Sequence, residues 1–341
     1  MVWQRVRGHE AQVEGFRRAV RRGRLAHAYL FTGPPGVGKR LFAVELAKAL
    51  LCEGNTGDEL EACDRCPACA QVEAGTHPDF YPAARPADAL EFPIELMREL
   101  CQGFALKSAR GRGKVVVIDG ADDLNRESAN CFLKTLEEPP PRSVLVLIGS
   151  SPDRQLPTIV SRCQVIRFTP LPPETVGELL KAQGVDDPAL RERLARLSGG
   201  SVGRALALAE PELQQFRRAL REGLTRVPPD AVGLAKKWLE LVEGAGKEAA
   251  AQRRRAQLVL RLLVDFLDDA LTVGLGGAPR RTEPEDQPAL EALAGRVGPE
   301  ALLAALERCL EADGQIDHRP WVPLPLILEG LLDALAQRLR A

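Results

Sequence analysis

The sequence has few aromatic residues: Phe, Tyr and Trp make up 4% of its 341 positions, with only 2 Tyr. That is sparse for a β-sandwich core and for a stacking platform that grips single-stranded nucleic acid. It also lacks an excess of charge of either sign. Lys and Arg number 46 against 47 Asp and Glu, a formal net charge of −1. This balance argues against a chain coated in basic charge for binding nucleic acid alone, while leaving room for a local basic patch. No run of 18 apolar residues occurs, so no transmembrane helix and no membrane partner are expected. The segment Met1-Val2-Trp3-Gln4-Arg5 has no apolar signal-peptide stretch. The expected location is cytoplasmic, where 8 cysteines read as thiols or metal ligands rather than disulfides. A share of 45% hydrophobic residues is enough for a sizeable core, and the length is that of more than one domain.

The pattern is first α/β, then all-helical. Apolar positions Val13, Phe16, Ala19 and Val20 predict a helix over His9–Val20, ending in the basic cluster Arg17, Arg18, Arg21, Arg22 and Arg24. Ala28–Phe31 reads as a short strand, Lys39–Leu51 as a helix, Thr76–Asp88 as a polar proline-bearing stretch and Ile94–Cys101 as a helix. Lys114–Ile118 and Ser143–Ile148 are continuous apolar runs, the mark of parallel strands buried on both faces. A helix over Ser128–Glu138 is stopped by Pro139-Pro140-Pro141, and Val165–Phe168 is a last, shorter strand. Pro170, Pro172 and Pro173 mark a boundary. Beyond it the text is Leu-, Ala-, Arg- and Glu-rich with helical periodicity, Gly274–Pro288 reads as a long loop, and Arg319–Leu339 is apolar and periodic. The expected architecture is a parallel-sheet core over 1–170 with a cysteine module at 52–69, a small helical domain over 171–209 and an all-α domain over 210–341.

Two motifs carry nucleotide chemistry. Gly33-Pro34-Pro35-Gly36-Val37-Gly38-Lys39-Arg40 matches G-x-x-x-x-G-K between a strand and a helix. Gly33, Gly36 and Gly38 let backbone N–H groups turn toward phosphates, and Lys39 adds a point charge at a helix N-terminus. The next residue should be Ser or Thr, whose hydroxyl holds Mg²⁺. It is Arg40, which cannot ligate a cation. The second motif, Val116-Val117-Ile118-Asp119, is an apolar strand ending in the acid that faces the cation. The expectation is a degenerate site, with ATP or ADP bound weakly or not at all and hydrolysis lost.

Cys52, Cys63, Cys66 and Cys69 follow a C-x10-C-x2-C-x2-C pattern, with Asp64, Arg65 and Pro67 between them. Four thiolates satisfy tetrahedral Zn²⁺ and leave no open coordination position, so a structural zinc site is expected. His77 lies near but is not required, and Cys101, Cys131 and Cys309 read as core.

Leu25–Pro34, the cysteine module directly after the phosphate-loop helix, Leu133–Pro140 and Ser161-Arg162-Cys163 resemble the ATPase-type subunits of bacterial DNA polymerase III clamp loaders, of the AAA+ class. The resemblance spans roughly residues 5 to 208. It implies an AAA+ core, a helical lid and a helical collar that assembles subunits into a ring. In hydrolysing members a Glu follows the strand-ending Asp; here Gly120 does, with Asp122 and Asp123 further on. Lacking that Glu and the Ser or Thr after Lys39, the chain resembles the delta' branch rather than gamma/tau. The resemblance then implies a stator that lends Arg162 in trans to a neighbour's ATP site. Its partners would be gamma/tau and delta subunits, and through them the sliding clamp and primer–template DNA. Ser150 and Arg204 stand at the two sensor positions. Two other readings stay open: an active ATPase motor of the same ring, and a zinc-dependent DNA-binding protein with a spent ATPase fold. Arg17–Arg24 and Arg253-Arg254-Arg255 are the candidate DNA-facing runs.

Overall fold

The computed structural model describes residues 2–55, 59–86, 89, 91–281, 286–319 and 321–340. Positions 56–58 of the cysteine module, 87–88 of the polar stretch, 282–285 of the long loop and Pro320 lie outside the described residues. The chain divides into two compact units, Met1–Ala182 with Gly200–Arg204, and Gln183–Gly199 with Ala205–Ala341.

The first unit runs α1 (Glu10–Arg21), β1 (Ala28–Thr32), α2 (Lys39–Leu51), α3 (Pro67–Glu73), β2 (Phe80–Ala84), α4 (Ile94–Ala105), β3 (Val115–Asp119), α5 (Arg126–Glu137), β4 (Val144–Ile148), α6 (Pro157–Val160), β5 (Gln164–Arg167) and α7 (Pro173–Ala182). The strands form one sheet in the order β2-β3-β4-β1-β5, and every pairing is parallel. β1 is an inner strand, pairing Ala28 with Leu145 of β4 on one side and Tyr29 with Gln164 of β5 on the other. The strands read as continuous apolar runs are buried because both sheet faces are covered. One face packs on Phe16, Phe42 and Phe168, the other on Phe92, Met97, Phe104 and Phe132. The scarce aromatics are thus concentrated. Phe31, Phe42 and Phe168 lie with ring centroids 5.0 to 5.6 Å apart, and Trp3 stands 5.1 Å from Phe42.

β2 is the one strand that the pattern does not announce. Its sequence, Phe80-Tyr81-Pro82-Ala83-Ala84, lies inside the stretch read as polar and proline-bearing. It is an edge strand bonded only to β3, and an edge tolerates a proline because one side of its backbone needs no partner. Its start is fixed by Asp79, whose buried carboxylate accepts from Ser108 Oγ and from the backbone N–H groups of Ala109 and Arg110.

In the second unit the regular elements among the described residues are helices only: α8 (Pro188–Leu197), the part of α9 (Val202–Leu208) from Ala205 on, α10 (Pro211–Thr225), α11 (Ala231–Glu243), α12 (Ala249–Gly274), α13 (Gln287–Val297), α14 (Pro299–His318) and α15 (Leu324–Arg338). Leucines of α12 and α15 fill its core with Trp238, whose ring lies 6.0 Å from Phe216. The triplet at 253–255 is not the solvent-facing run that its composition suggests. Arg253 is 7% exposed and donates to Ile316 O and Val322 O; Arg255 pairs with Glu210 at 2.6 Å. Both arginines are committed to structure, so the triplet is not an open basic surface.

Candidate functional site

The sheet topology brings the nucleotide motifs together. β1 leads into the glycine loop, and β3 ends at Asp119 on the same edge, the carboxyl ends where ligands of open α/β sheets bind. Gly33, Gly36 and Gly38 have φ of 140°, 74° and 106°. A side chain at Gly33 would put a Cβ 2.1 Å from Phe168 O, and one at Gly36 would meet Ser201 Oγ at 2.4 Å. Lys39 Nζ donates to Gly33 O at 2.5 Å and Pro34 O at 2.7 Å, leaving its third N–H for a ligand. Burial holds its pKa below the ordinary lysine value, opposed by Asp122 and Asp119.

Two buried polar atoms beside this loop have no hydrogen-bond partner among the described residues: Ser150 Oγ and His9 Nδ1. Ser150 O accepts from Gly33 N at 3.0 Å, and His9 Nε2 donates to Val37 O at 2.8 Å. These orphaned groups and the one free lysine proton fit a bound nucleotide. The cation position does not fit Mg²⁺. Arg40 occupies the place of the hydroxyl, and its Nη1 donates to Asp119 Oδ2 at 3.5 Å. Asp122 and Asp123 do not replace the missing acid. Asp122 accepts from Ser150 N at 2.7 Å and Gln155 Nε2 at 2.6 Å, and Asp123 pairs with Arg85 at 2.8 Å. Segment Gly200–Arg204 closes on the loop through Ser201 Oγ to Pro35 O (2.8 Å) and Gly203 N to Gly36 O (3.2 Å), which brings Arg204 to the same side.

The four cysteines converge. Cys52 caps the C-terminus of α2, Cys63 and Cys66 flank a turn in which Asp64 has φ 54°, and Cys69 lies in α3. All four sulfurs fall within 4.8 Å of one another, and Cys52 Sγ is 3.9 Å from Cys66 Sγ. A tetrahedron with Zn–S bonds near 2.3 Å sets sulfurs about 3.8 Å apart, so the set fits zinc. The N–H of Arg65 brings the Cys63 thiol down to about 6. Burial is the largest influence on Cys66 and opposes its ionisation, but hydrogen bonds from the Cys69 and Glu53 backbone and the Cys69 side chain together leave that thiol below its usual value. Burial pushes Cys52 and Cys69 up. Bound zinc would supply the positive charge that keeps all four as thiolates.

A charge cluster unannounced by any motif backs this module. Lys48 Nζ lies 2.6 Å from Asp64, 3.1 Å from Glu73 and 3.3 Å from Glu45, and Arg5 bridges Glu45 and Glu73 at 2.9 and 3.0 Å. Trp3 Nε1 donates to Leu60 O at 2.7 Å, tying the N-terminal turn to the same insert. The available signal was two charges, Glu45 and Lys48, inside the otherwise apolar run Phe42–Leu51.

Arg162 follows α6. Its Nε and Nη2 donate to Glu137 Oε1 at 2.9 and 2.5 Å, and its Nη1 donates to Thr158 O and Ser161 Oγ at 3.0 and 3.2 Å. The role of Glu137, the last residue of α5, was likewise invisible. His77 is bonded through Nδ1 to Asp79 N and plays no part in the cysteine site. Cys309 is buried, and Cys101 Sγ faces Cys131 O across α4 and α5 at 3.8 Å.

A parallel sheet with a glycine loop after the inner strand β1, an acid at the end of β3 two strands away and a Cys₄ insert defines a phosphate-loop core of the AAA+ type carrying a zinc-type module. Residues 8–172 match the family described as DNA polymerase III, delta subunit. The Escherichia coli DNA polymerase III subunit delta' is 34% identical over 287 residues, 83% of this chain and 81% of that protein. The Pseudomonas aeruginosa subunit delta' is 40% identical over 225 residues, 64% of this chain and 67% of that one. The E. coli subunit tau is 36% identical over 193 residues, 55% of this chain but 29% of tau. The chain belongs to the DNA polymerase III delta' subunit family. No helix among the described residues is long and apolar enough to cross a membrane.

Proposed function

We propose that this chain is a non-hydrolysing subunit of the DNA polymerase III clamp loader. It helps to place the sliding clamp on primer–template DNA, and it lends Arg162 to the ATP site of an adjacent gamma/tau-type subunit. One contrast carries the reading. The chain's own site has Arg40 in the cation position and Gly120 after Asp119, whereas Arg162 stands ordered by Glu137 at the surface. A guanidinium so held can stabilise charge on a transferring phosphoryl group across a subunit boundary. Zinc has a structural role here. Residues 171–209 serve as lid and 210–341 as collar, packing against gamma/tau and delta subunits. Exposed Leu303 and Leu310 on α14, with Trp321 and Leu326, support such packing in the second unit.

The test is reconstitution with gamma/tau- and delta-type subunits. Arg162→Ala should leave assembly on gel filtration unchanged. Turnover at the one site it serves should fall by about 10³-fold or more, read as a drop in DNA-stimulated ATP hydrolysis and clamp loading. Unchanged turnover would overturn the role of Arg162. The reading as an active motor requires the opposite dependence, loss of ATP hydrolysis by this chain on Lys39→Ala.

A further inference from the structure

The cation position of the phosphate loop is filled from within. In phosphate-loop proteins Mg²⁺ sits between the hydroxyl after the lysine and the acid that ends a second strand of the sheet. Here both places exist, and the residue in the first place reaches the second: Arg40 Nη1 to Asp119 Oδ2, 3.5 Å. A guanidinium is charged at every pH a protein tolerates, so a divalent ion placed between these residues would meet repulsion from Arg40 and share its only carboxylate. The rest of the loop remains suited to phosphate. Its glycines take the positive φ that turns backbone N–H groups inward, Lys39 keeps one proton free, and Ser150 Oγ and His9 Nδ1 await partners.

The Arg40–Asp119 pair is long, and the Arg40 side chain is 66% exposed. Exposed pairs of this kind are weak, whereas a phosphate offers guanidinium two parallel charge-assisted bonds. Arg40 can therefore turn from Asp119 to an incoming phosphate without breaking a buried contact. We propose that this loop binds a nucleoside di- or triphosphate without a divalent cation, with Arg40 supplying the charge that Mg²⁺ supplies elsewhere. The inference rests on the reading of the chain as a non-hydrolysing subunit only in taking the loop to be retained for binding.

The test is equilibrium binding of fluorescently labelled ADP to the full-length chain. Buffers contain magnesium or have been freed of it beforehand on a chelating resin, so that no chelator reaches the cysteine site. Wild-type affinity should change by less than about twofold between the two buffers. Arg40→Ala should weaken binding by about tenfold or more in magnesium-free buffer. Arg40→Thr, which restores a hydroxyl, should bind about tenfold more tightly with magnesium than without. Lys39→Ala should abolish binding in both, which assigns the signal to the loop. The proposal is overturned by absence of saturable ADP binding, by wild-type binding that requires magnesium, by undiminished affinity in Arg40→Ala, or by Arg40→Thr indifferent to magnesium. Any of these leaves the Arg162 experiment untouched, since that one reads the neighbour's ATP site.

Discussion

Lys48 is 4% exposed and yet charged. Burial opposes its protonation, but hydrogen bonds to Asp64 and Glu73 outweigh it and hold the ammonium above its ordinary pKa. Its shortest contact, 2.6 Å, is to the residue at positive φ between two of the four cysteines. A group that orients ligands in this way commonly changes metal affinity by about 10–100-fold when removed. Lys48→Met should weaken zinc binding on that scale, measured by competition with a chromophoric chelator, and Lys48→Arg should recover part of it. Equal affinity in Lys48→Met would show that the turn holds its shape without the cation. The clustering of the four cysteines was legible because C-x-x-C spacing has few other uses in such a setting. Lys48 was not, because a single lysine in a helix reads as surface until the fold encloses it. Arg40 divides in the same way. Its identity at the wrong position was plain in the sequence, but its reach to Asp119 depends on β3 lying two strands from β1.

At the scale of elements, α3 shows one atom serving two structures. Cys66 Sγ is one of the four clustered sulfurs, and it also accepts from Cys69 N at 3.4 Å as the N-cap of α3, with Pro67 at the first helical position. Serine is a good N-cap and a poor zinc ligand, while alanine is neither. Cys66→Ser and Cys66→Ala should therefore both lose zinc affinity. In chelator-treated protein, however, the Ser variant should be more stable by about 1 kcal/mol in urea unfolding. Equal stability would mean that the capping bond contributes nothing once the metal is gone. The central strands were readable since burial on both faces leaves a run of Val, Leu and Ile with no alternation. β2 was not, because an edge strand is specified by its one neighbour and its own text includes a proline. The hold of Glu137 on Arg162 belongs to the same class, a contact between the ends of α5 and α6 that no spacing rule encodes.

For the whole molecule, the relevant fact is how its charge is spent. Half of the eight arginines that stand in runs are engaged: Arg17 with Glu61, Arg21 with Glu14, Arg255 with Glu210, and Arg253 with backbone carbonyls. Counterion release from DNA needs cations free to meet phosphates. The isolated chain should therefore bind duplex or primed DNA no more tightly than non-specific proteins do, with Kd of about 10⁻⁴ to 10⁻⁶ M at physiological salt by fluorescence anisotropy. Tight, salt-sensitive binding by the chain alone would favour the reading as a DNA-binding module. Domain organisation was only coarsely visible, because prolines mark where an element stops but not which neighbour the following residues choose. Gly200–Arg204 joins the first unit through contacts with the glycine loop, although it lies beyond the prolines that looked like a border.

α2 begins at Lys39 and ends against Cys52. It is a rod of thirteen residues, about 20 Å long, with phosphate chemistry at one tip and the metal ligands at the other. A zinc ion on the four cysteines would pin the far tip as a foundation pins a post, giving the glycine loop at the near tip a fixed footing. Metal content would then be a hidden variable in the nucleotide titration that tests the loop. Two preparations of the same chain compare fairly only when their zinc occupancy has been matched.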